Sequence, residues 1–251
     1  DHRLGSCKSD AENVSSVALS HGTVVRSGRK ILNDVSIRLD REKKICLVGS
    51  SGSGKSTLLR TMAGVLNMQG GSLAVNGEDV ADRSGLTHKD LLYLTQETTI
   101  FSASIGDNVS LFRKMPEQTL KTALLRAGLG DWFHSAGANL DKVLEKNSAK
   151  LSGGEQRRFD FARILAEEGK ILLFDEPTAG LDAANARNIM DQIAAMDGCM
   201  VMVATHDLDE ENMRRFDEVY IMENGRVALH GTPDIILVSS RYKGLRQGAA
   251  K

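Results

Sequence analysis

Aromatic residues, cysteine, net charge and long apolar runs are all scarce in this sequence of 251 residues. No apolar run reaches the roughly 18–20 residues that a membrane-spanning helix needs, so we predict no span within it. Cys7, Cys46 and Cys199 lie far apart without CxxC spacing. This argues against a disulfide framework or a zinc site and favours a reducing compartment. The net charge of −1 provides no basic field that would attract nucleic acid or an anionic bilayer.

Apolar residues make up 41% of the chain and charged residues 26%, which is typical of a globular protein. No signal-peptide pattern is present at the start, and a first residue Asp1 instead of Met suggests a piece of a longer polypeptide. Apolar strands at 45–48, 171–174 and 200–204 alternate with helical patterns, and Asn-Gly pairs at 76–77 and 224–225 predict hairpins.

The predicted fold class is α/β, with a P-loop NTPase core around a mostly parallel sheet, an N-terminal antiparallel β subdomain and an inserted α-helical subdomain. We place a linker at 1–16, the core with its β subdomain at 17–95 and 170–237, the helical insert at 96–169 and a C-terminal tail at 238–251.

A glycine-rich loop between an apolar strand and a helical run matches the spacing GxxxxGK[ST]. Its glycines let backbone N–H groups surround phosphate oxygens, and the following helix adds its positive end. Lys55 would reach the β- and γ-phosphates, and the Ser56 hydroxyl would coordinate Mg²⁺. A chance Gly/Ser turn is the alternative, and the strand-loop-helix context argues against it. The predicted nucleotide-binding residues are Gly49, Ser50, Ser51, Gly52, Ser53, Gly54, Lys55, Ser56 and Thr57.

Two acids follow the apolar strand at 171–174. Ligands of open α/β sheets bind at the carboxyl ends of the strands, where Asp175 and Glu176 would emerge on opposite faces. We predict that Asp175 holds Mg²⁺ and that Glu176 accepts a proton from the attacking water. A solvated acidic turn is the alternative.

A second anion-binding segment, LSGGEQRR, begins at Leu151. Here the sequence resembles the ABC ATPase family, whose signature is of the LSGGQ type. The serine and the glycine amides open a helix whose N-terminus would point at a phosphate. The resemblance implies a head-to-tail dimer, in which the signature binds the nucleotide held by the partner. The signature residues are Ser152, Gly153, Gly154 and Glu155.

Further marks of the resemblance occur in the family's order. Gln96 is similar to the glutamine that contacts Mg²⁺ or water and senses the membrane partner. Asp182 is similar to the D-loop aspartate, and His206 to the switch histidine that contacts the γ-phosphate. The resemblance therefore implies Glu176, His206 and Gln96 as catalytic residues, and Ser56, Gln96 and Asp175 as Mg²⁺ ligands.

The stretch ETTIFSASIGDNVSLF after Gln96 resembles the exporter pattern that docks a transmembrane domain, with Ile100, Phe101, Ile105 and Val109 as the implied contacts. Core packing of the insert is the alternative. Two features depart from the family. VLEKNSAK at 143–150 replaces a segment that usually contains glycine. No aromatic residue occurs in 1–92, so Thr23, Val24 or Val25, with His21 nearby, stands where relatives stack the adenine.

The leading hypothesis is an ATPase domain that uses ATP and Mg²⁺ to drive export at the cytoplasmic face of a membrane. Its implied partners are a transmembrane domain, fused or separate, and a second nucleotide-binding domain in a homodimer or heterodimer. A soluble ABC ATPase of DNA maintenance or translation is the main alternative, although the neutral charge favours no nucleic acid. A non-hydrolysing regulatory domain is a third hypothesis.

Overall fold

The computed structural model describes residues 14–80, 90–144, 151–167 and 169–249. Most of the predicted linker, and residues 145–150 of the departure before the signature, lie outside these ranges. Strands form two sheets, one antiparallel and one mostly parallel. The strands are β1 (Ser16–Arg26), β2 (Arg29–Asp40), β3 (Lys44–Val48), β4 (Gly70–Val75), β5 (Glu78–Asp79), β6 (Leu91–Leu94), β7 (Ile171–Asp175), β8 (Met200–Thr205), β9 (Glu218–Glu223) and β10 (Arg226–Gly231).

The larger sheet has the order β10-β9-β3-β8-β7-β6, and its neighbours pair in parallel except for β10 with β9. Every residue of β7 and β8 is buried. These continuous apolar runs are what a sheet covered on both faces requires. The carboxyl ends of β3, β7 and β8 therefore lie side by side, and each leads into a predicted motif.

The smaller sheet, in the order β2-β1-β4-β5, is antiparallel. The predicted hairpins are confirmed, because Asn76, Gly77, Asn224 and Gly225 all have positive φ, as a two-residue type I′ turn demands. The turn of the second hairpin, at Gly225, makes backbone hydrogen bonds both to the glycine loop and to β2 of the smaller sheet. The Gly225 amide donates to the Ser53 carbonyl at 3.0 Å, and the Gly225 carbonyl accepts from the Asn33 amide at 2.8 Å.

Helices flank the parallel sheet and fill the insert. They are α1 (Lys55–Met62), α2 (Ile105–Ser110), α3 (Glu117–Arg126), α4 (Gly130–Ser135), α5 (Gly153–Ala166), α6 (Ala183–Ala194), α7 (Glu210–Met213), α8 (Pro233–Val238) and α9 (Ser240–Ala249). Pro116 occupies the N-cap position of α3, and Leu120 and Leu124 are buried in the core. Leu125 of the same helix is 52% exposed. Within the described residues, no helix combines the length and apolar character needed to cross a bilayer.

The predicted C-terminal tail is instead helical. Tyr242 of α9 is only 1% exposed, and its hydroxyl donates to the Leu208 carbonyl at 2.9 Å. The sequence did not indicate this helix because α9 mixes arginines and glycines with few apolar residues. The start of the core is also earlier than predicted, since Ser16 already belongs to β1 and is buried.

Candidate nucleotide-binding and catalytic site

The glycine loop leads from β3 into α1 and encloses the Lys55 ammonium. Lys55 is 6% exposed, and its Nζ donates to the carbonyls of Gly49 at 2.7 Å and Ser50 at 3.2 Å. Burial lowers the pKa of Lys55, while the nearby Glu176 and Asp175 oppose that shift. A positive charge is thus held inside the loop, where phosphate oxygens would be its natural partners.

The path of the loop requires a glycine at position 49, because any side chain there would collide with its neighbours. A Cβ there would lie 2.4 Å from the Met222 carbonyl oxygen and 2.8 Å from the Ser53 hydroxyl. That Ser53 hydroxyl is buried and has no hydrogen-bond partner in the described part of the chain. Because a buried hydroxyl without a partner is costly, it is an available donor for an anion in the loop.

Ser56 and Asp175 come together from α1 and the end of β7. The Ser56 hydroxyl donates to Asp175 Oδ1 at 2.9 Å, and the Tyr93 hydroxyl donates to Oδ2 at 3.3 Å. Asp175 is fully buried, and Gln96 lies in the cavity that contains Ser56. Mg²⁺ prefers oxygen ligands and commonly combines one or two protein oxygens with substrate phosphates and water. These residues therefore fit the predicted Mg²⁺ site.

Glu176 and His206 form the pair expected of a base and its partner. His206 Nδ1 lies 2.7 Å from Glu176 Oε2, and the His206 amide donates to the same oxygen at 3.3 Å. An ionised carboxylate can only accept, so a hydrogen bond between these two atoms requires the tautomer with a proton on Nδ1. Glu176 has a positive φ of 53°, a backbone conformation that is uncommon for a residue other than glycine.

A cavity of about 510 Å³ brings most of the predicted residues together. It contains side chains of the glycine loop together with Gln96, Glu176 and His206, and Asp175 contacts it through Ser56. The lining residues are Ile31, Ser51, Gly52, Ser53, Gly54, Lys55, Ser56, Thr57, Gln96, Glu176, Ala179 and His206. The signature residues and Asp182 lie outside it.

The signature opens α5 with a capping box. Ser152 Oγ accepts from the Glu155 amide at 3.2 Å, and Glu155 Oε2 accepts from the Ser152 amide at 2.7 Å. Gly154 lies against the D-loop, where a Cβ would be 3.3 Å from Leu181 Cδ2. Asp182 caps α6 by accepting from the Asn185 amide at 3.0 Å, and this bond lowers the pKa of Asp182. Both segments therefore have a structural role in addition to any contact with a partner.

The expected adenine platform is partly wrong. Val24 is 1% exposed and belongs to the core, so it cannot contact a base. His21 Nδ1 lies 2.7 Å from Asp34 Oδ1, and His21 does not line the cavity. The aliphatic side chain that β2 contributes to the cavity is Ile31, which the sequence did not indicate. No motif marks it, because its place depends on the register between β1 and β2.

The docking segment after Gln96 is also only partly as predicted. Ile105 and Val109 are fully buried among the helices of the insert. Asn108 between them fixes the preceding turn, because its side chain accepts from the amide of Phe101 and donates to the carbonyl of Phe101. Phe101 is 37% exposed and contacts the 60% exposed Phe112, with ring centroids 5.6 Å apart. Core packing therefore explains two of the four predicted contacts.

These features together define a phosphate-loop nucleotide site of an NTPase. They are the enclosed lysine, the contact between Ser56 and Asp175, and the contact between Glu176 and His206. The family model described as ABC transporter matches residues 32–179. The chain belongs to the ABC transporter family. The predicted family and the predicted fold are confirmed. Membership of this family also confirms the prediction that the chain is an ATPase.

Known relatives agree with this assignment. The chain is 30% identical over 219 residues to the glutathione/L-cysteine transport system ATP-binding/permease protein CydD of Bacillus subtilis, covering 86% of this chain and 38% of that protein. It is 33% identical over 218 residues to the energy-coupling factor transporter ATP-binding protein EcfA2 of Symbiobacterium thermophilum, covering 81% of this chain and 72% of that protein.

A solved structure of a bacterial Atm1-family ABC exporter with ATP bound matches with a TM-score of 0.83 and 26% identity. It covers 95% of this chain and 42% of that chain. The chain thus spans about two fifths of the length of this exporter and of CydD.

Proposed function

We propose that this chain binds ATP with Mg²⁺, hydrolyses it in a head-to-tail dimer, and drives export through a transmembrane domain. The observation that carries the proposal is the contact between Glu176 and His206 in the cavity that also contains Lys55 and Ser56. A carboxylate in contact with a histidine, beside a phosphate loop, is suited to activating water.

The residues of the chain divide the chemistry between them. Lys55 and the loop amides bind the phosphates, and Ser56 and Asp175, with Gln96 nearby, would hold Mg²⁺, which neutralises phosphate charge. Water attacks the γ-phosphorus, the bond to the bridging oxygen breaks, and the Glu176 carboxylate accepts the proton of that water. His206 orients Glu176, and a protonated ring would also donate from Nε2 to the γ-phosphate.

The position of the signature supports the proposed dimer. Ser152 and Gly153 are exposed at the N-terminus of a 14-residue helix, outside the cavity of their own chain. A helix N-terminus favours an anion. The nucleotide of a second copy, or of a related domain, would complete both sites.

The membrane partner is inferred from the relatives and one surface. CydD is named an ATP-binding/permease protein, and the matched structure is an exporter. Phe101, Leu111 and Phe112 are exposed beside a groove of about 280 Å³ that also contains Thr95, next to Gln96. A transmembrane domain docked there, at the cytoplasmic face of a membrane, would contact the residues next to Gln96, which lines the catalytic cavity.

Dimer-dependent turnover tests the proposal. Specific ATPase activity should rise with protein concentration and then saturate, because each site needs the partner's signature. The measurement is phosphate release over a concentration series, with light scattering on the same samples. Activity per molecule that stays constant down to nanomolar concentrations, without dimer, would contradict the dimer mechanism.

A further inference from the structure

We propose that Arg157 is a positioning residue that ties the signature helix to the backbone of Thr95, which precedes Gln96, and to the backbone of Glu176. The proposal rests on the proposed function for its catalytic consequence, although its structural part does not. Arg157 was not among the predicted site residues. It follows the signature by two residues and was visible in the sequence only as one of two adjacent arginines.

The Arg157 guanidinium is 2% exposed and is surrounded by backbone carbonyls. Nη1 donates to the Thr95 carbonyl at 2.5 Å and approaches that of Gln96 at 3.5 Å. Nη2 donates to the carbonyls of Asp175 and Glu176, the latter at 2.5 Å, and Nε to that of Pro177 at 3.3 Å. One side chain of α5 thereby joins the segment after β6 to the segment after β7.

Charge and geometry both indicate that these contacts hold the segments in place. Burial lowers the pKa of Arg157, and Asp160, Asp175 and Glu176 oppose that shift. The hydrogen bonds of its guanidinium in the structure nevertheless go to carbonyls. An arginine has five N–H donors in a rigid plane, so it can fix several carbonyls at once, which a lysine cannot.

The position of Arg157 gives the contact a mechanical consequence. Gly154 and Arg157 lie one turn apart on α5, so a nucleotide that shifts the signature also shifts the guanidinium. The guanidinium bonds the carbonyl of Glu176, a residue whose positive φ must be maintained by its surroundings. Arg157 therefore links occupation of the signature to the orientation of the base and of Gln96.

The structural part is tested by hydrogen-deuterium exchange on the domain without nucleotide. We compare Arg157→Gln with the matched control Arg215→Gln, since Arg215 is also mostly buried and bonds to Asp191 and Glu211, away from the cavity. In Arg157→Gln, peptides covering residues 94–98 and 174–178 should both exchange at least threefold faster. In Arg215→Gln they should exchange at the wild-type rate. Unchanged exchange at either segment of Arg157→Gln would overturn the proposal.

The catalytic part is tested by kinetics. In Arg157→Gln, kcat should fall by about tenfold to a hundredfold while the Kd for ATP stays within about twofold, and Arg157→Lys should recover only part of kcat. If Arg157→Gln does not fold, Arg157→Lys with the same exchange measurement replaces it. A change confined to KM, with kcat unaffected, would overturn the proposal. So would an equal fall in kcat in Arg215→Gln when its Tm falls by the same amount. Wild-type protein that binds ATP without hydrolysing it would instead refute the proposed function.

Discussion

Asp160 of α5 should make the stability of this domain increase when the pH falls from about 6 towards 4. It is 9% exposed and pairs with Arg163, with 2.5 Å between Oδ1 and Nη1, while Oδ2 makes no hydrogen bond in the described residues. Burial raises the pKa of Asp160 from 3.8 to about 6, although Arg163 and Arg157 oppose the shift. The ionised carboxylate is therefore less stable in the folded chain than in the unfolded chain.

The sign of the effect follows from this direction. The folded state binds the proton more tightly, so the penalty is absent below the unfolded pKa, grows between about pH 4 and 6, and is complete above pH 6. A shift of two pKa units corresponds to about 3 kcal/mol at most. Asp160→Asn should thus raise the free energy of unfolding by about 1–3 kcal/mol at pH 7.5, and by much less at pH 4.5.

The assay is urea unfolding of wild type and Asp160→Asn at pH 7.5, 6 and 4.5. In Tm, the gain at pH 7.5 corresponds to about 2–4 °C per kcal/mol for a domain of this size. Asp131→Asn is the control, because Asp131 is exposed on α4. An Asp160→Asn variant less stable than wild type at pH 7.5, or a difference that does not depend on pH, would show that burial of the ionised Asp160 carboxylate does not destabilise the domain.

Three other substitutions test separate parts of the site. Lys55→Ala should weaken ATP and inorganic triphosphate alike, by about tenfold or more in calorimetric Kd, because it removes a charged donor; unchanged triphosphate binding would disprove its role. Ile31→Ala should weaken ATP by about fivefold, or 1 kcal/mol, and leave triphosphate unaffected, if its side chain packs on the base; equal effects on both ligands would exclude this. Glu155→Gln keeps the capping bond but removes a negative charge beside the partner's phosphate, so dimers seen by light scattering with ATP should form at lower protein concentration; a weaker dimer would contradict it.

The sequence predicted those features that depend on local chemistry. Examples are the strand at 45–48, the glycine loop and the helix that begins at Lys55. They are predicted by periodicity, turn residues and phosphate-binding composition, all of which act within a few residues. The same holds for the buried strand that ends at Asp175. Because parallel strands align their carboxyl ends, the meeting of Ser56 with Asp175 could also be expected.

Features that depend on contacts distant in sequence could not be predicted. Whether Val24 faces the core or a ligand is set by the register of β1 on β2, which includes irregularities between Leu19 and Val25. The guanidinium of Arg157 donates to backbone carbonyls that lie 18 to 62 residues away in the sequence. No local pattern of charges predicts that arrangement. The burial of Ile105 and Val109 likewise depends on how the helices of the insert pack together.

Hydrolysis by Glu176→Gln decides whether Glu176 is the base that activates water. Glutamine preserves the size of the side chain and can still contact His206, but it cannot accept the proton of the attacking water. We predict that the Kd for ATP stays at the wild-type value while single-turnover hydrolysis falls by about 10²–10⁴, the scale for losing a general base. An ATP-bound dimer should then accumulate on a sizing column. Hydrolysis at a rate close to wild type, with ATP bound normally, would contradict the assignment of Glu176 as the base.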